Sequence, residues 1–212
     1  MRNRTKLPLE ALGPVLLPMQ PLGSLASIYP DISTDAPLEL EVGFGKGLHL
    51  VNAALQNPSS RYLGIEIERK YVFFAATSVV NKGIKNVRLI AGDASLFMAT
   101  HIPKGVVDVV HIYFPDPWWK KRHHKRRLVT QGFLEYVLLV LKPEGMIRFA
   151  TDVEAYYQMT EELLSQLSGV VRSNPESTTS SVAHDMDYLT HFERKARLKG
   201  KPIFRWDLKK LV

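Results

Sequence analysis

The sequence contains no cysteine among its 212 residues. This absence excludes disulfide bonds, zinc–thiolate sites, iron–sulfur clusters and cysteine nucleophiles. Long apolar runs are also lacking, since no stretch of about 18 consecutive apolar residues could form a transmembrane helix. The content of 45% hydrophobic and 23% charged residues is ordinary for a globular protein, which excludes a wholly disordered chain.

Two stretches of the chain have almost no acidic residues. Residues 120–127 hold six Lys and Arg residues and no acid, and residues 194–210 hold eight with a single acid. Together they carry a net charge of +13, so within the total of +7 the rest of the chain carries −6. This concentration of one sign favours a polyanionic partner, nucleic acid ahead of a membrane. The alternative is two solvent-exposed helical faces rich in Lys and Arg.

The remaining sequence predicts an arm followed by one domain. Residues 1–37 contain six prolines, which predict an extended or disordered N-terminal arm. From residue 38 to residue 212 we expect a single domain in which short apolar runs alternate with helical stretches. Strands are predicted at 38–42, 62–67, 87–91, 107–114, 146–150 and 203–208. Helices are predicted at 48–56, 70–82, 95–100, 131–141, 154–167 and 188–199, with a loop at 173–187. This alternation indicates an α/β fold built on a parallel sheet.

A glycine-rich loop at residues 41–47, E-V-G-F-G-K-G, joins the first predicted strand to the first helix. Glycines at this position let the backbone turn tightly and let a ligand approach it closely. The spacing is not that of a dinucleotide site, because Leu48 stands where a third glycine is required. Glu41 would repel a pyrophosphate and suits a cationic ligand, such as the sulfonium and ammonium groups of S-adenosylmethionine.

Two further acids follow the next two predicted strands. A carboxylate at Glu66 can accept hydrogen bonds from both hydroxyls of a ribose, and Asp93 can accept one from an adenine amino group. Either acid alone could instead cap a helix. Three acids at successive strand ends favour a nucleoside cofactor, with adenosylmethionine ahead of NAD.

The segment Y-F-P-D-P-W-W followed by K-K-R-H-H-K-R-R occupies residues 113–127. Two prolines restrict the backbone on both sides of Asp116 and hold its carboxylate in a fixed direction. Of Trp118 and Trp119, we expect one to stack on a base and the other to pack in the core. The cations suit phosphates, and the two histidines are expected to meet RNA or solvent rather than a metal.

These motifs occur in an order that resembles the TrmB family of bacterial tRNA (guanine-N7-)-methyltransferases. The resemblance covers roughly residues 38–208 and includes G-I-E at 64–66, G-D-A at 92–94, A-T-D at 150–152 and T-H-F-E at 190–193. It implies the Rossmann-like fold of class I methyltransferases, with a mostly parallel central sheet, helices on both faces and an antiparallel C-terminal edge strand. The implied cofactor is S-adenosylmethionine, with no metal.

The resemblance also implies a role for individual residues. Cofactor-binding residues are Glu41, Gly43, Gly45, Glu66, Asp93 and Asp116, of which Asp116 is also catalytic. Substrate-binding residues are Lys120, Asp152, Thr190, His191, Phe192 and Glu193. RNA-contact residues are Arg122, Lys125, Arg126 and Arg127. The family usually has Lys where His191 stands, which puts that contact in doubt because His is mostly neutral at pH 7.

The function implied is methylation of N7 of a guanine in the tRNA variable loop, at position 46, forming 7-methylguanosine. The implied partner is tRNA and not a membrane, the expected location is the cytoplasm, and the chain is expected to be a monomer or a homodimer. Three alternatives remain open at this point. They are a methyltransferase acting on another RNA or a small molecule, an NAD-dependent oxidoreductase, and a non-catalytic RNA-binding protein.

Overall fold

A computed structural model describes residues 7–118, 120–173 and 190–212, without the side chains of Lys121, His124 and Lys125. The chain forms two compact units, Met1–His101 and Ile102–Val212. The predicted loop at 173–187 lies almost entirely outside the described residues, as does the start of the predicted helix at 188–199.

The first unit contains four parallel strands with helices between them. Its elements are α1 (Leu9–Leu12), β1 (Leu16–Leu17), α2 (Leu25–Ile28), β2 (Leu38–Val42), α3 (Leu48–Gln56), β3 (Arg61–Glu66), α4 (Arg69–Asn81), β4 (Val87–Ala91) and α5 (Ala94–His101). The strand order is β1-β4-β3-β2, and all three pairs are parallel. The parallel β2–β3–β4 arrangement confirms the alternation predicted from the sequence.

The core of this unit forms where α3 and α4 pack against the strands. All six residues of β3 are buried, as expected for a strand covered on both faces. Gly64 lies in the middle of β3, and a Cβ added there would come within 2.6 Å of side-chain carbons of Leu50 and Phe44. The strand therefore needs glycine at this position because the side chains above it leave no room for a methyl group.

The N-terminal segment differs in part from the predicted arm, because α1, β1 and α2 fall within it. Leu12 and Val15 are buried in the core of the first unit, and the Tyr29 hydroxyl donates a 2.8 Å hydrogen bond to the Tyr62 carbonyl oxygen. Buried apolar residues between the prolines thus hold part of the N-terminal segment against the first unit, whereas the number of prolines alone predicted an extended segment. The division into an arm and a single domain at residue 37 stays a prediction.

The second unit contains four strands, of which the C-terminal ones are antiparallel. Its elements are β5 (Val107–Tyr113), a 3₁₀ helix (Lys121–Arg126), α6 (Gln131–Val140), β6 (Leu141–Thr151), α7 (Glu154–Ser165), β7 (Val170–Ser173), α8 (His191–Leu198) and β8 (Phe204–Lys210). β5 and β6 are parallel, whereas β8 is antiparallel to both β6 and β7. The predicted antiparallel C-terminal strand is confirmed, but its expected place at the edge is wrong, because β7, which the sequence did not predict, pairs with its outer side.

β6 begins five residues earlier than the sequence predicts. Pro143, Glu144 with φ of 66° and Gly145 interrupt the apolar pattern of this strand. The pairing register with β5 shifts between Val107 and Val109, which marks a bulge at this point. An irregular strand start is hidden from sequence patterning because proline and glycine are normal signs of a strand boundary.

The chain has the α/β Rossmann-like fold of class I methyltransferases, with mostly parallel strands and antiparallel C-terminal strands. Within the described ranges, no helix combines the length and the apolar character needed to cross a membrane.

Candidate active site

The carboxyl ends of β2 and β3 bring two of the predicted acids to the same edge of the first unit. Glu41 is the penultimate residue of β2 and pairs in register with Gly64 of β3, two residues before Glu66. Both carboxylates are buried, with Glu41 2% and Glu66 7% exposed. In a parallel α/β fold this edge is where ligands bind.

The glycine loop between β2 and α3 needs its glycines for backbone conformation. Gly43, Gly45 and Gly47 have φ angles of 71°, 54° and 71°, in the left-handed region that side chains disfavour. A Cβ on Gly43 or Gly45 would meet no atom within 4 Å, so the space above these two residues is open. At Gly47 the Cβ would instead lie 2.8 Å from that of Ala75, so this glycine also permits close packing against α4.

Glu66 holds the glycine loop in place. One carboxylate oxygen accepts a 2.9 Å hydrogen bond from the Gly45 backbone N–H, and the other accepts one of the same length from the Glu68 N–H. Each carboxylate oxygen can accept more than one hydrogen bond, so both remain competent acceptors for ribose hydroxyls. Glu66 therefore has a structural role that sequence reasoning did not assign to it.

Glu41 has a partner that no sequence pattern indicates. Its Oε2 lies 3.1 Å from Nδ1 of His49, and His49 is itself buried on the first turn of α3. Helical side chains point toward the N-terminus of their helix, which directs this imidazole back to the end of β2. The histidine fixes the orientation of a carboxylate that faces the glycine loop.

Asp93 is exposed and caps a helix. Its Oδ1 accepts a 3.0 Å hydrogen bond from the Leu96 backbone N–H in the first turn of α5. The capping alternative considered from the sequence is thus present, and the second carboxylate oxygen stays available to a ligand. Open space at the glycines, together with three carboxylates at this edge, fits a nucleoside cofactor with a cationic tail.

In the second unit, Asp116 follows β5 in a strained and rigid segment. Phe114 and Trp118 have φ angles of 52° and 44°, which are uncommon for side chains of this size. Pro115 and Pro117 stand between them and flank Asp116 directly. The Asp116 carboxylate is exposed and accepts no hydrogen bond from the described part of the chain. Such strain persists where the surrounding structure imposes it, and it clusters at functional sites.

Buried Tyr156 of α7 lies close to this segment. Burial raises the pKa of its hydroxyl, and the nearby Asp116 carboxylate raises that pKa further, while Arg127 opposes both effects. The Tyr156 hydroxyl accepts a 3.2 Å hydrogen bond from the Val129 N–H. Tyr156 is consequently neutral near pH 7.

The basic residues after Asp116 divide into two kinds. Arg127 is half-buried: its Nε donates a 3.0 Å hydrogen bond to the Pro117 carbonyl oxygen, and its guanidinium lies over the Tyr156 ring. Lys120, Arg122 and Arg126 are exposed, with Arg126 5.1 Å from the Trp118 ring centroid. The predicted contact of Lys125 lies outside the described residues, as does all of Trp119. Arg127 thus supports the segment, whereas the exposed cations are free to meet phosphates.

The T-H-F-E stretch begins α8. The Thr190 hydroxyl caps this helix by accepting a 3.0 Å hydrogen bond from the Glu193 N–H. The Phe192 ring, 54% exposed, stacks on that of Phe114 with ring centroids 6.5 Å apart. His191, which is exposed, comes directly before Phe192 in the first turn of α8. The second unit therefore brings Phe192 next to the strained segment that carries Asp116.

Glu193 and Asp152 are engaged by cations of this chain. Glu193 is 2% exposed, and its Oε1 accepts hydrogen bonds from Arg197 at 2.9 Å and Arg205 at 2.8 Å. Asp152 pairs with Lys201 at 3.0 Å. The structure thus gives Glu193 an internal role. Sequence reasoning did not identify Arg197 or Arg205, because neither lies within the T-H-F-E motif.

Within residues 7–118, 120–173 and 190–212, no three His, Asp or Glu side chains form a group able to hold a metal ion.

Comparison with known proteins gives consistent results. A family model described as a putative methyltransferase matches residues 35–206. A tRNA (guanine-N7-)-methyltransferase of Rhodopirellula baltica is 41% identical over 176 residues, which are 81% of this chain and 65% of that protein. The corresponding protein of Actinobacillus pleuropneumoniae is 39% identical, and the match covers 81% of this chain and 68% of the relative. The chain therefore spans about two thirds of the length of these relatives.

Solved structures share the fold at low sequence identity. TrmN from Thermus thermophilus matches with a TM-score of 0.57 and 16% identity, over 88% of this chain and 47% of that one. The aminoglycoside resistance methyltransferase NpmB1 matches with a TM-score of 0.56 and 16% identity, over 82% and 87% of the two chains. These likenesses support the fold alone. Because the family model covers most of the chain and the relatives are about 40% identical, the chain belongs to the TrmB family of tRNA (guanine-N7-)-methyltransferases.

Proposed function

We propose that this chain transfers the methyl group of S-adenosylmethionine to N7 of a guanine in the tRNA variable loop, position 46, forming 7-methylguanosine. The observation that carries the proposal is Asp116, an exposed carboxylate held between two prolines in a strained segment. A carboxylate fixed in this way matches the ring N–H and the amino group of guanine, which are two adjacent donors. Adenine lacks that donor pair, so the same contact selects the base.

The cofactor, when bound, supplies an electrophilic methyl group on a sulfonium. Glu41, Glu66 and Asp93, with Gly43 and Gly45, are the residues that would hold it in the first unit. Buried Glu41 contributes negative charge toward a cationic ligand, and His49 keeps this carboxylate in place. Glu66 keeps the loop closed through its bond to the Gly45 N–H.

The reaction needs no general base. N7 of guanine carries a lone pair and no proton, so the protein must supply position and a favourable electrostatic environment. Asp116 orients the base and offsets the positive charge that develops on the purine ring. Because N7 forms the new bond with its own lone pair, the mechanism also requires no metal.

The remaining residues of the second unit would hold the RNA. Exposed Lys120, Arg122 and Arg126 suit phosphates, and the exposed face of Phe192 suits a nucleobase. Asp152, Thr190, His191 and Glu193 complete the proposed substrate site, with Glu193 acting through the arginines that it binds. In a tRNA helix the N7 edge lies in a narrow groove, so an accessible loop guanine is the expected target. With tRNA as its partner, the chain is proposed to work in the cytoplasm, as a monomer or a homodimer.

Single-turnover methylation of tRNA by wild type and Asp116→Asn tests the proposal. The variant keeps the shape but presents a donor to donors of guanine, so we expect the rate to fall by about two powers of ten or more. Binding of tRNA should change little, because most of its affinity comes from phosphates. Asp35→Asn, an exposed aspartate of the first unit, is the matched control.

Nucleoside analysis of the product identifies the modified atom, and a parallel reaction with tRNA-depleted RNA tests substrate class. Methylation of the depleted RNA at an equal rate would favour a methyltransferase of another RNA. Binding of RNA without methyl transfer would favour a non-catalytic RNA-binding protein. A wild-type rate for Asp116→Asn would remove this residue from the mechanism.

A further inference from the structure

α4 exposes a surface that the proposed cofactor and substrate residues do not use. Arg69, Lys70, Phe73 and Phe74 project from its first half, directly after Glu66. Phe73 is 41% exposed and Phe74 is 38% exposed. Resting on the proposed function, we propose that these four residues form an α4 platform that binds unpaired nucleotides of the tRNA substrate.

The platform follows from helical geometry. Arg69 and Phe73 are four residues apart, as are Lys70 and Phe74, so each pair lies on the same line of the helix surface. The opposite face of α4 is the buried stripe formed by Val72, Ala75, Ala76 and Val79. The core already has its own apolar residues on this helix, whereas Phe73 and Phe74 each keep more than a third of their surface exposed.

Two lysines lie close to aromatic rings of this surface. Lys46 of the glycine loop lies 5.7 Å from the Phe74 ring centroid, which joins the loop and the helix into one surface. Lys70 lies 5.0 Å from the ring of Tyr71. One carboxylate, Glu68, lies beside them and pairs with Lys70 at 3.4 Å, with both side chains more than half exposed. Lys46, Arg69 and Lys70 therefore place three cations on this surface, of which Lys70 is paired with Glu68.

This composition fits RNA better than an apolar partner. Proteins that bind single-stranded nucleic acids combine aromatic rings, on which bases stack, with cations that neutralise the backbone. A purely apolar protein partner would desolvate Arg69 and Lys46 without supplying a counter-charge. Position supports the same conclusion, because the platform begins three residues after Glu66, at the edge that is proposed to hold the methyl donor. Any RNA that reaches the methyl group must pass close to this edge.

Two double variants of this chain separate stacking from charge. For Phe73→Ala/Phe74→Ala we expect Kd for tRNA, measured by direct binding without the methyl donor, to rise at least about fivefold for each ring that stacks on a base. The affinity for S-adenosylmethionine, measured by calorimetry without RNA, should stay at the wild-type value. For Arg69→Ala/Lys70→Ala the slope of log K for tRNA against log salt should fall by roughly one to two units.

Matched controls lie elsewhere in the chain. Tyr136→Ala removes a comparably exposed aromatic ring from α6, and Lys82→Ala removes a cation from the far end of α4. Neither should change Kd for tRNA or the salt slope beyond a small uniform effect of charge. Wild-type tRNA affinity and salt slope in both double variants would overturn the α4 platform. A change of sedimentation coefficient in the Phe variant would also overturn it, in favour of contact between two copies of the chain. Failure of wild type to methylate tRNA would refute the proposed function instead, because tRNA binding is measured independently of methyl transfer.

Discussion

Replacing Glu193 should destabilise the protein more than it weakens substrate binding. This carboxylate is 2% exposed, anchors α8 to β8 through Arg205 at 2.8 Å, and pairs within α8 with Arg197 at 2.7 Å. In Glu193→Ala two guanidinium groups lose their shared counter-charge. Breaking a buried pair by removing one partner costs about 3–5 kcal/mol, because a charge remains buried and uncompensated. The Arg197 side chain is 32% exposed and can rehydrate, so we expect a value near the lower end of that range.

Urea unfolding followed by circular dichroism measures this loss directly. With an m-value of roughly 2 kcal/mol/M, a loss of about 3 kcal/mol lowers the unfolding midpoint by about 1.5 M. The unfolding midpoint of Glu193→Gln should lie between those of wild type and Glu193→Ala, because the amide oxygen still accepts a hydrogen bond but carries no charge. The matched control is Glu135→Ala, which removes an exposed helical glutamate whose amide partner is Gln131.

The comparison of stability with activity decides between two roles for Glu193. An internal anchor predicts a lowered unfolding midpoint in Glu193→Ala, with activity per folded molecule only partly reduced. An unchanged midpoint with a large rise in KM for tRNA would refute the anchoring argument. That result would show that the carboxylate is released from its arginines to contact the substrate.

Two further changes test the first unit. Glu66→Ala removes the acceptor for the Gly45 N–H along with a charged acceptor for ribose, so binding of S-adenosylmethionine should weaken about ten- to hundredfold by calorimetry. Glu68→Ala, an exposed neighbour, should bind normally, and equal affinities in all three proteins would contradict the assignment of Glu66. Burial raises the pKa of Tyr62 to about 12, so its stabilising contribution is complete below pH 10 and is lost as pH rises from 10 toward 12. Urea unfolding of Tyr62→Phe should accordingly show a shallower loss of stability over that interval than wild type, whereas parallel curves would exclude this tyrosine as a cause.

The sequence predicted the bounds of a strand accurately where proline or glycine marked the end of an apolar run. β2 and β4 have the predicted bounds, since Pro37 and Gly43 flank one strand and Gly92 follows the other. The predictions were incomplete where pairing depends on distant residues. β7 (Val170–Ser173) is four residues long, with an exposed middle, and its strand conformation depends on pairing with β8. No local pattern indicates such a strand.

In the candidate site, too, the sequence did not predict contacts that depend on residues outside the local motifs. Glycine spacing and acids after strands identified the residues at the carboxyl edge, because parallel strands must end together. The partners of those residues could not be identified in this way. The His49 contact with Glu41 depends on the direction of one side chain on α3. Arg205 contacts Glu193 although the two residues are 12 positions apart in the sequence. Specific partners of buried charges are fixed by packing, which periodicity does not encode.

The position of β8 between β6 and β7 has a consequence for synthesis on the ribosome. Phe204 follows Ser173 by 31 residues, so β7 is complete before any of β8 has been made. At about 5–20 residues per second, that interval lasts roughly 2–6 s. During it, β7 and one side of β6 lack their hydrogen-bonding partner, and such open edges can pair with other chains. The second unit therefore cannot complete its sheet co-translationally until β8 emerges, and the nascent chain depends on protection of these edges during that delay.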